Sequence, residues 1–364
     1  VTDAPSGSEF VVATCGPADR EAQARLFNAT FKKGIDARGL AWRYDENPHG
    51  GAISFAQRHA TAGLVSGYAC SPRRAVPAGD EARAAQVGET GDVMTHPDWR
   101  KRGLFSALDR AAMEESRRLG WPVVFGLPNR RSAHIFLELG WERVGTLRPW
   151  TFVLRADAAA RAERAKEGRI RGWATSFAAL AGRRARTRLA RPDPLAVRPL
   201  TEFPRAVEAV SRAVEPRFAL MVRRDAAYLD WRFLRSPSKL HRALGLFRGD
   251  EFVGYVVVQV PRQGSALGYL VDVLARDDEG VRAAILAGLE ALESSGASLV
   301  QATAIDGSWW SATLRDAGFQ APRSENHLTV IVHAHDATHP LAIAARTPAR
   351  WYLTDGDRDD ETMG

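Results

Sequence analysis

The chain has 364 residues, 45% of them hydrophobic and 26% charged, which is enough apolar mass for two ordinary domain cores. No apolar run reaches the ~20 residues a spanning helix needs, and two cysteines, Cys15 and Cys70, are too few for a disulfide framework or a thiolate zinc site. The net charge of +7 is concentrated, because eleven basic and three acidic residues lie between Arg155 and Arg191 and the remainder sums to −1. A nucleic-acid-binding reading rests on that segment alone. The first residues, Val1 to Ser8, show neither a basic n-region nor an apolar h-region, so no secretory signal is visible and a reducing cytoplasm is the expected setting.

Phe10 to Thr14 reads as a strand, and Asp19 to Lys33 as an amphipathic helix with Leu26, Ala29 and Phe31 near its inner face. Strands follow near 52–57, 63–70 and 84–95. Gly103 to Leu119 places Leu104, Leu108, Ala111, Ala112 and Leu119 at helical spacing. Val123 to Leu127 is a buried strand, 131–139 a short helix, and a strand pair at 141–146 and 150–155 closes the series. Residues 156–194 alternate Ala and Arg, with Trp173, Phe177 and Leu180 on one face, and predict a basic helical connector. The same plan returns over 195–334, and 335–364 reads as a tail that ends in a frayed acidic stretch from Asp355 to Glu361. The expected fold class is therefore α+β, with domains at 1–155 and 195–334.

Internal similarity supports that division. Trp42-Arg43-Tyr44-x-x-x-Pro48 recurs as Trp231-Arg232-Phe233-x-x-x-Pro237. Gly67-Tyr68 returns as Gly254-Tyr255, Asp92-Val93 as Asp272-Val273, and the step at Gly140-Trp141 as Gly318-Phe319, with offsets of 178 to 189 residues. Landmarks in the same order at nearly constant offset indicate a duplication.

The copies differ in one place. After Gly91-Asp92-Val93-Met94-Thr95 the first runs through Arg100-Lys101-Arg102-Gly103 straight into a helix. Backbone N–H groups at a helix start lack intrahelical partners and sit at the positive end of the dipole, which suits phosphate oxygens. The second copy instead has Arg276-Asp277-Asp278-Glu279-Gly280, where three acids repel an anion.

Thr95-x-Pro97-x-Trp99-Arg100-Lys101-Arg102-Gly103-Leu104-Phe105 resembles motif A of the GNAT superfamily of acyl-CoA-dependent N-acyltransferases, V-x-P-x-x-[RQ]-x-x-G-[IL]-[GA]. Thr95 and Phe105 depart from that pattern. Phe125-Gly126-Leu127-Pro128-Asn129-x-x-Ser132-x-x-x-Phe136-x-x-Leu139-Gly140-Trp141 is similar to the family's following strand–Asn–helix region. The resemblance covers 9–155 well and makes 195–334 a degenerate second GNAT-like domain. It implies acetyl-CoA as acyl donor, with its diphosphate on the loop amides and its pantetheine between two splayed strands. Carried over residue by residue, the implied cofactor contacts are Val93, Met94, Thr95, Arg100, Lys101, Arg102, Gly103, Leu104, Phe105, Ser106, Asn129, Ser132 and Phe136. The backbone N–H near Met94 is the implied donor to the thioester oxygen. The implied reaction is direct attack by the amine of a small molecule, such as an amino sugar or a natural-product or antibiotic amine, with no partner of nucleic acid or membrane type.

The resemblance also places a general base near Glu89, with Asp92 and His96 as alternatives, and an acid where Phe136 stands; His134 is the nearest substitute. Each choice has a structural counterpart: Glu89 as a salt-bridge partner, His134 as a surface residue, Asn129 as a helix cap. Trp42 and Tyr44 either wall the acceptor pocket or pack between lobes with Trp231 and Phe233. His333-x-His335-x-x-x-His339 lacks a supporting acidic cluster, so no metal is expected. A coenzyme-A-binding protein without turnover and an aminoacyl-tRNA-dependent peptidyltransferase are the alternative functions.

Overall fold

The computed structural model describes residues 9–31, 34–160, 195–321 and 327–358; most of the basic connector, with Trp173, Phe177 and Leu180, and the last acidic residues lie outside that range. The first lobe comprises β1 (Phe10–Thr14), α1 (Arg20–Phe31), α2 (Ala37–Asp45), β2 (Ile53–His59), β3 (Gly63–Val76), β4 (Ala85–Thr95), α3 (Leu104–Arg118), β5 (Val123–Gly126), α4 (Arg130–Glu138) and β6 (Glu142–Val153). The second repeats the order as β7 (Ala196–Leu200), α5 (Ala206–Val214), α6 (Ala226–Leu229), β9 (His241–Arg248), β10 (Glu251–Gln259), β11 (Leu267–Ala275), α7 (Asp278–Ser294), β12 (Leu299–Ile305), α8 (Trp309–Asp316) and β13 (Leu328–Ala334). It adds β8 (Leu220–Val222) after α5, and α9 (Pro340–Ala345) and β14 (Trp351–Tyr352) at the end. The sequence reading lacked α2, which is short, carries Gly39, and starts where the Asp36 carboxylate accepts from Gly39 N at 2.7 Å.

The main sheet runs β1-β2-β3-β4-β5-β13-β6-β12-β11-β10-β9-β7. This order is nearly a palindrome with two strands exchanged at its centre. β13 of the second lobe lies antiparallel to β5 of the first, pairing Ile331 with Gly126 and Ala334 with Val123. β6 of the first lobe lies antiparallel to β12 of the second, pairing Leu299 with Val153 and Ile305 with Leu147. The two exchanged strands also pair with each other, Leu328 opposite Leu147 and Val332 opposite Glu142. The expected strand pair at 141–146 and 150–155 is thus one strand. Pro149 lies between Leu147, where pairing with β13 stops, and Thr151, which bridges to Gln320, so its missing N–H interrupts no β13 pairing.

The duplicated aromatic motif lies at the centre of the lobe contact. Trp42 Nε1 donates to Trp231 O and Trp231 Nε1 donates to Trp42 O, both at 2.9 Å, with the rings stacked 5.1 Å apart. Such a reciprocal contact is what a local twofold between two copies of one plan produces.

The acidic stretch after Leu353 is not frayed where it is described. β14 pairs with β8, and β8 pairs with the end of β3 at Ala75 and Val76. Asp355 and Asp357 are buried. Arg224, itself buried, donates to Asp357 at 2.7 Å and to Asp272 at 3.3 Å. Burial works against the Arg224 charge, yet Asp272 and Asp357 raise its pKa well above the ordinary value. The sequence signalled only the charge; the partners come from segments more than eighty residues away.

Candidate active site

β4 and β5 run parallel from the Gly88–Val124 pair to the Thr90–Gly126 pair. Beyond it β5 stops while β4 continues to Thr95, and the strands part. A cavity of 740 Å³ opens there. One wall is Thr90, Gly91, Asp92 and Val93 on β4, with Leu127, Pro128 and Asn129 after β5 and Ser132 and Phe136 on α4. Phe27, Phe31, Ile35, Asp36 and Arg43 line it from α1, α2 and the segment between them. Pro237, Ser238 and Arg358 come from the second lobe.

At the end of β4, Pro97–Trp99 forms one turn of 3₁₀ helix capped by His96, whose Nδ1 accepts from Asp98 N at 3.4 Å. Lys101 and Gly103 then take left-handed conformations, φ +65° and +71°, and α3 begins at Leu104. Gly103 has no side chain to cap the helix, so the first N–H groups of α3 find no side-chain acceptor at the cap position. Arg100, Lys101, Arg102 and Gly103 are exposed, while buried Leu104 anchors the helix. The Arg102 guanidinium lies 4.8 Å from the Trp99 ring centre, and Arg100 Nε donates to Thr95 O at 3.3 Å. The result is an uncapped helix start ringed by three cations, a fit for a diphosphate.

The same place in the second lobe is closed twice. Asp277 caps α7, its carboxylate accepting from Gly280 N at 2.7 Å, and Asp278 pairs with Arg217 at 2.7 Å. Parallel pairing of β11 with β12 ends at Tyr269–Gln301, and the C-terminal turn enters where these strands part. Asp355 accepts from Thr303 N at 2.7 Å and from the Thr303 hydroxyl, and Asp272 accepts from Thr354 Oγ1 at 2.7 Å. The chain's own residues occupy the position that the first lobe leaves as a cleft.

The expected site residues divide accordingly. Val93, Asn129, Ser132 and Phe136 line the cavity, and Thr95 to Ser106 form the loop and first turn beside it. Met94 is buried against Leu26 and Phe27, so only its backbone is available to a ligand. Asn129 caps α4, its Oδ1 accepting from Ser132 N at 3.2 Å, and lines the cavity as well. The departures at Phe105 and Phe136 are a matched pair: their rings meet edge-on at 4.9 Å, and Phe136 meets Trp141 in the same way. An aromatic at 105 fills space against an aromatic at 136.

The candidate catalytic residues lie outside the cavity lining or are already bonded. Glu89 is buried in an ion pair with Arg73, whose guanidinium lies 5.9 Å from the Tyr228 ring centre, and it is not part of the cavity lining. Through Arg73 the pair touches the second lobe at Tyr228. His134 is exposed on α4, also outside the lining, and His96 caps a turn. Trp42 is sealed in the lobe contact, so it does not wall the pocket; Tyr44 is buried and reaches the site through its hydroxyl, 2.7 Å from Asp92. The cavity-lining member of the motif is Arg43, flagged by the repeat but passed over for its aromatic neighbours. His333 lies between the rings of Trp141, tilted, and His335, edge-on; His335 shares a hydrogen bond with Ser116 and His339 caps α9; no metal-binding cluster occurs among the described residues.

Residues 16–144 match the family of acetyltransferase (GNAT) domains. No curated protein sequence matches the chain significantly. Among solved structures, the GCN5-related N-acetyltransferase from Kribbella flavida is 16% identical, with a TM-score of 0.57 over 90% of this chain and 71% of its own. A tandem GNAT protein from the clavulanic acid biosynthesis pathway is 14% identical, with a TM-score of 0.56 over 90% of this chain and 98% of its own. The N-myristoyltransferase of Saccharomyces cerevisiae, solved with myristoyl-CoA, is 12% identical, with a TM-score of 0.60 over 91% of this chain and 80% of its own. The loop, the splayed strands and the family match together mark the first lobe, over residues 16–144, as an acetyltransferase (GNAT) domain. The chain as a whole has the tandem fold of the solved structures it matches, α+β throughout, with the Arg100–Gly103 loop in the first lobe. No helix among the described residues is long and apolar enough to cross a membrane.

Proposed function

We propose that the first lobe binds acetyl-CoA and transfers its acetyl group to the amine of a small molecule lodged between the lobes. The observation that carries this is the contrast at one structural position: an uncapped, cation-ringed helix start beside an open strand pair in the first lobe, and a carboxylate-capped, filled one in the second. Arg100, Lys101 and Arg102 with the amides following Gly103 would hold the diphosphate, and the free edge of β4 from Gly91 to Thr95, with Asn129 and Ser132 opposite, would hold the pantetheine arm. Acetyl-CoA, when bound, supplies a thioester carbonyl that an amine attacks, forming a C–N bond as the C–S bond breaks.

Phe27, Phe31 and Ile35 give the far wall an apolar surface, and Gly34 and Gly39 leave it room. That lining suits an amine on an apolar or aromatic body better than an amino sugar. The two carboxylates lining the cleft are already engaged, Asp36 as the cap of α2 and Asp92 by Arg43 and Tyr44. The amine therefore loses its proton to water, and the departing thiolate takes one from water. Neither cysteine serves as a nucleophile: both are buried, and burial raises the pKa of each, Cys15 to about 11.

The test is thiol release from acetyl-CoA across a panel of aromatic, aliphatic and sugar amines, followed against pH. Turnover with an apolar amine, rising with pH through the pKa of that amine, is expected. Tight coenzyme A binding without turnover on any amine would make the chain a binding protein. Binding of aminoacyl-tRNA without coenzyme A would make it a peptidyltransferase.

A further inference from the structure

The first lobe's cleft contains a distortion with its own clamp. Between the β3–β4 pairs Ala69–Gly91 and Gly67–Met94, two residues of β4, Asp92 and Val93, stand opposite the single residue Tyr68. This is a β-bulge, and Asp92 takes φ +48° within it. A left-handed conformation costs a non-glycine residue about 1–2 kcal/mol, so something must hold it. Asp92 is held from α2. Arg43 Nη1 reaches both its carboxylate oxygens, at 2.8 and 2.6 Å, and the Tyr44 hydroxyl donates to Oδ2 at 2.7 Å. The ion pair is largely shielded, with side chains 12% and 9% exposed, so water competes weakly for it. Arg43 and Tyr44 are fixed in turn by Trp42, locked to Trp231 across the lobe contact.

The duplication provides an internal comparison. In the second lobe the residue in place of Tyr44 is Phe233, which has no hydroxyl. Arg232, in place of Arg43, donates through Nε to Gly356 O at 3.1 Å and through Nη2 to Arg358 O. Asp272 is bound instead by Tyr255, Thr354 and Arg224 and has no positive φ. The second lobe has its own bulge, at Val271 beside Asp272, but no left-handed residue in it, so the Arg–Tyr clamp on a left-handed aspartate belongs to the lobe with the open loop. The motif itself is shared, so packing of the motif does not account for it.

We propose that Arg43 and Tyr44 are positioning residues: by clamping Asp92 they hold the β4 bulge so that the backbone N–H at Val93 or Met94 donates to the thioester carbonyl of the acyl donor. The proposal rests on the transferase reading above and adds which side chains set the donor's geometry. It also gives Asp92 a role other than general base, since its oxygens already accept three bonds. The second lobe thereby acts on the cleft through the Trp42–Trp231 lock.

The experiment compares acetyl-CoA with coenzyme A, which lacks the carbonyl, by titration calorimetry, and follows the carbonyl carbon of ¹³C-acetyl-CoA by NMR. Tyr44→Phe, the residue its own duplicate carries, and Arg43→Met are the variants. In the native protein the bound carbonyl signal is expected downfield of the free one. In either variant it should move back toward the free position, and the preference for acetyl-CoA over coenzyme A should fall about tenfold, while coenzyme A affinity stays within about twofold. Arg43→Met leaves a carboxylate unpaired and can lose stability; Tyr44→Phe keeps the ion pair and decides the matter by itself. A Tyr44→Phe protein that binds coenzyme A normally, with an unmoved carbonyl signal and an unchanged preference, would overturn the proposal. A native bound carbonyl indistinguishable from the free one would also overturn it. Absence of coenzyme A binding in the native protein would instead refute the transferase reading, and this proposal with it.

Discussion

Replacing Gly103 by Asp transplants the second lobe's solution into the first. Nothing lies within 4 Å of a Cβ built at Gly103, so the side chain enters open space. Its φ of +71° costs a non-glycine residue about 1 kcal/mol, less for Asp than for most, and a new carboxylate cap on α3 returns a similar amount. Folding stability should therefore change by less than about 1 kcal/mol. Binding should not survive as well. The carboxylate takes a helix N–H that would serve a phosphate oxygen, a charge-assisted bond of about 1.5–3 kcal/mol. It also sets a negative charge some 4 Å from the diphosphate, worth about 1 kcal/mol in water and about 4 at an effective dielectric of 20. The sum is at least about 2.5 kcal/mol, or more than about fiftyfold in coenzyme A affinity. Calorimetric titration of both proteins with coenzyme A measures it directly, and Gly103→Ala separates backbone strain from charge. If Gly103→Asp kept its native melting temperature and bound coenzyme A within threefold of the native protein, the diphosphate would not sit at the start of α3.

Two further outcomes concern stability. Trp42→Ala and Trp231→Ala should each cost about 3–5 kcal/mol, and a double-mutant cycle in denaturant should find them non-additive by more than about 1 kcal/mol, because each ring donates to the other's backbone. Additive losses would show that the reciprocal contact is incidental. Acid should loosen the fold through its histidines. Burial lowers the pKa of His49 and His333, of His335 to about 4 and of His241 to about 3, so the unfolded chain takes up protons below pH 6.5 that the native state refuses. Asp109 and Asp355, raised by burial, act in the opposite sense. His335→Gln should therefore flatten the fall in melting temperature between pH 7 and pH 4.5, and an unchanged slope would remove His335 from that account.

The anion loop was legible in the sequence because its elements are local: a strand, a cationic turn with one glycine and a helix follow one another within twenty residues. The duplication was legible because Trp42-Arg43-Tyr44 and Asp92-Val93 returned in order. What stayed hidden depends on pairing between distant segments. β6 looks like a hairpin until β12 and β13 are laid beside it, and Asp355 and Asp357 look like a solvated tail until Thr303 and Arg224 are in place. Glu89 sits on the expected strand, but opposite Phe125, before β4 and β5 part, and so falls outside the cleft that Thr90 to Val93 line. Where two strands part is set by their pairing, and spacing from a motif does not report that.

The exchange of β6 and β13 makes each lobe complete the other's sheet. Either half taken alone would present β5 or β12 as a raw border, with an unmatched row of amides and carbonyls inviting any passing chain. Fused, each half finishes the other, and the silent partner cannot be discarded without leaving its sibling incomplete. If the first lobe carries the chemistry, as proposed, the second can vary the cleft wall it supplies, through residues such as Pro237, Ser238 and Arg358, without touching the loop at Arg100–Gly103.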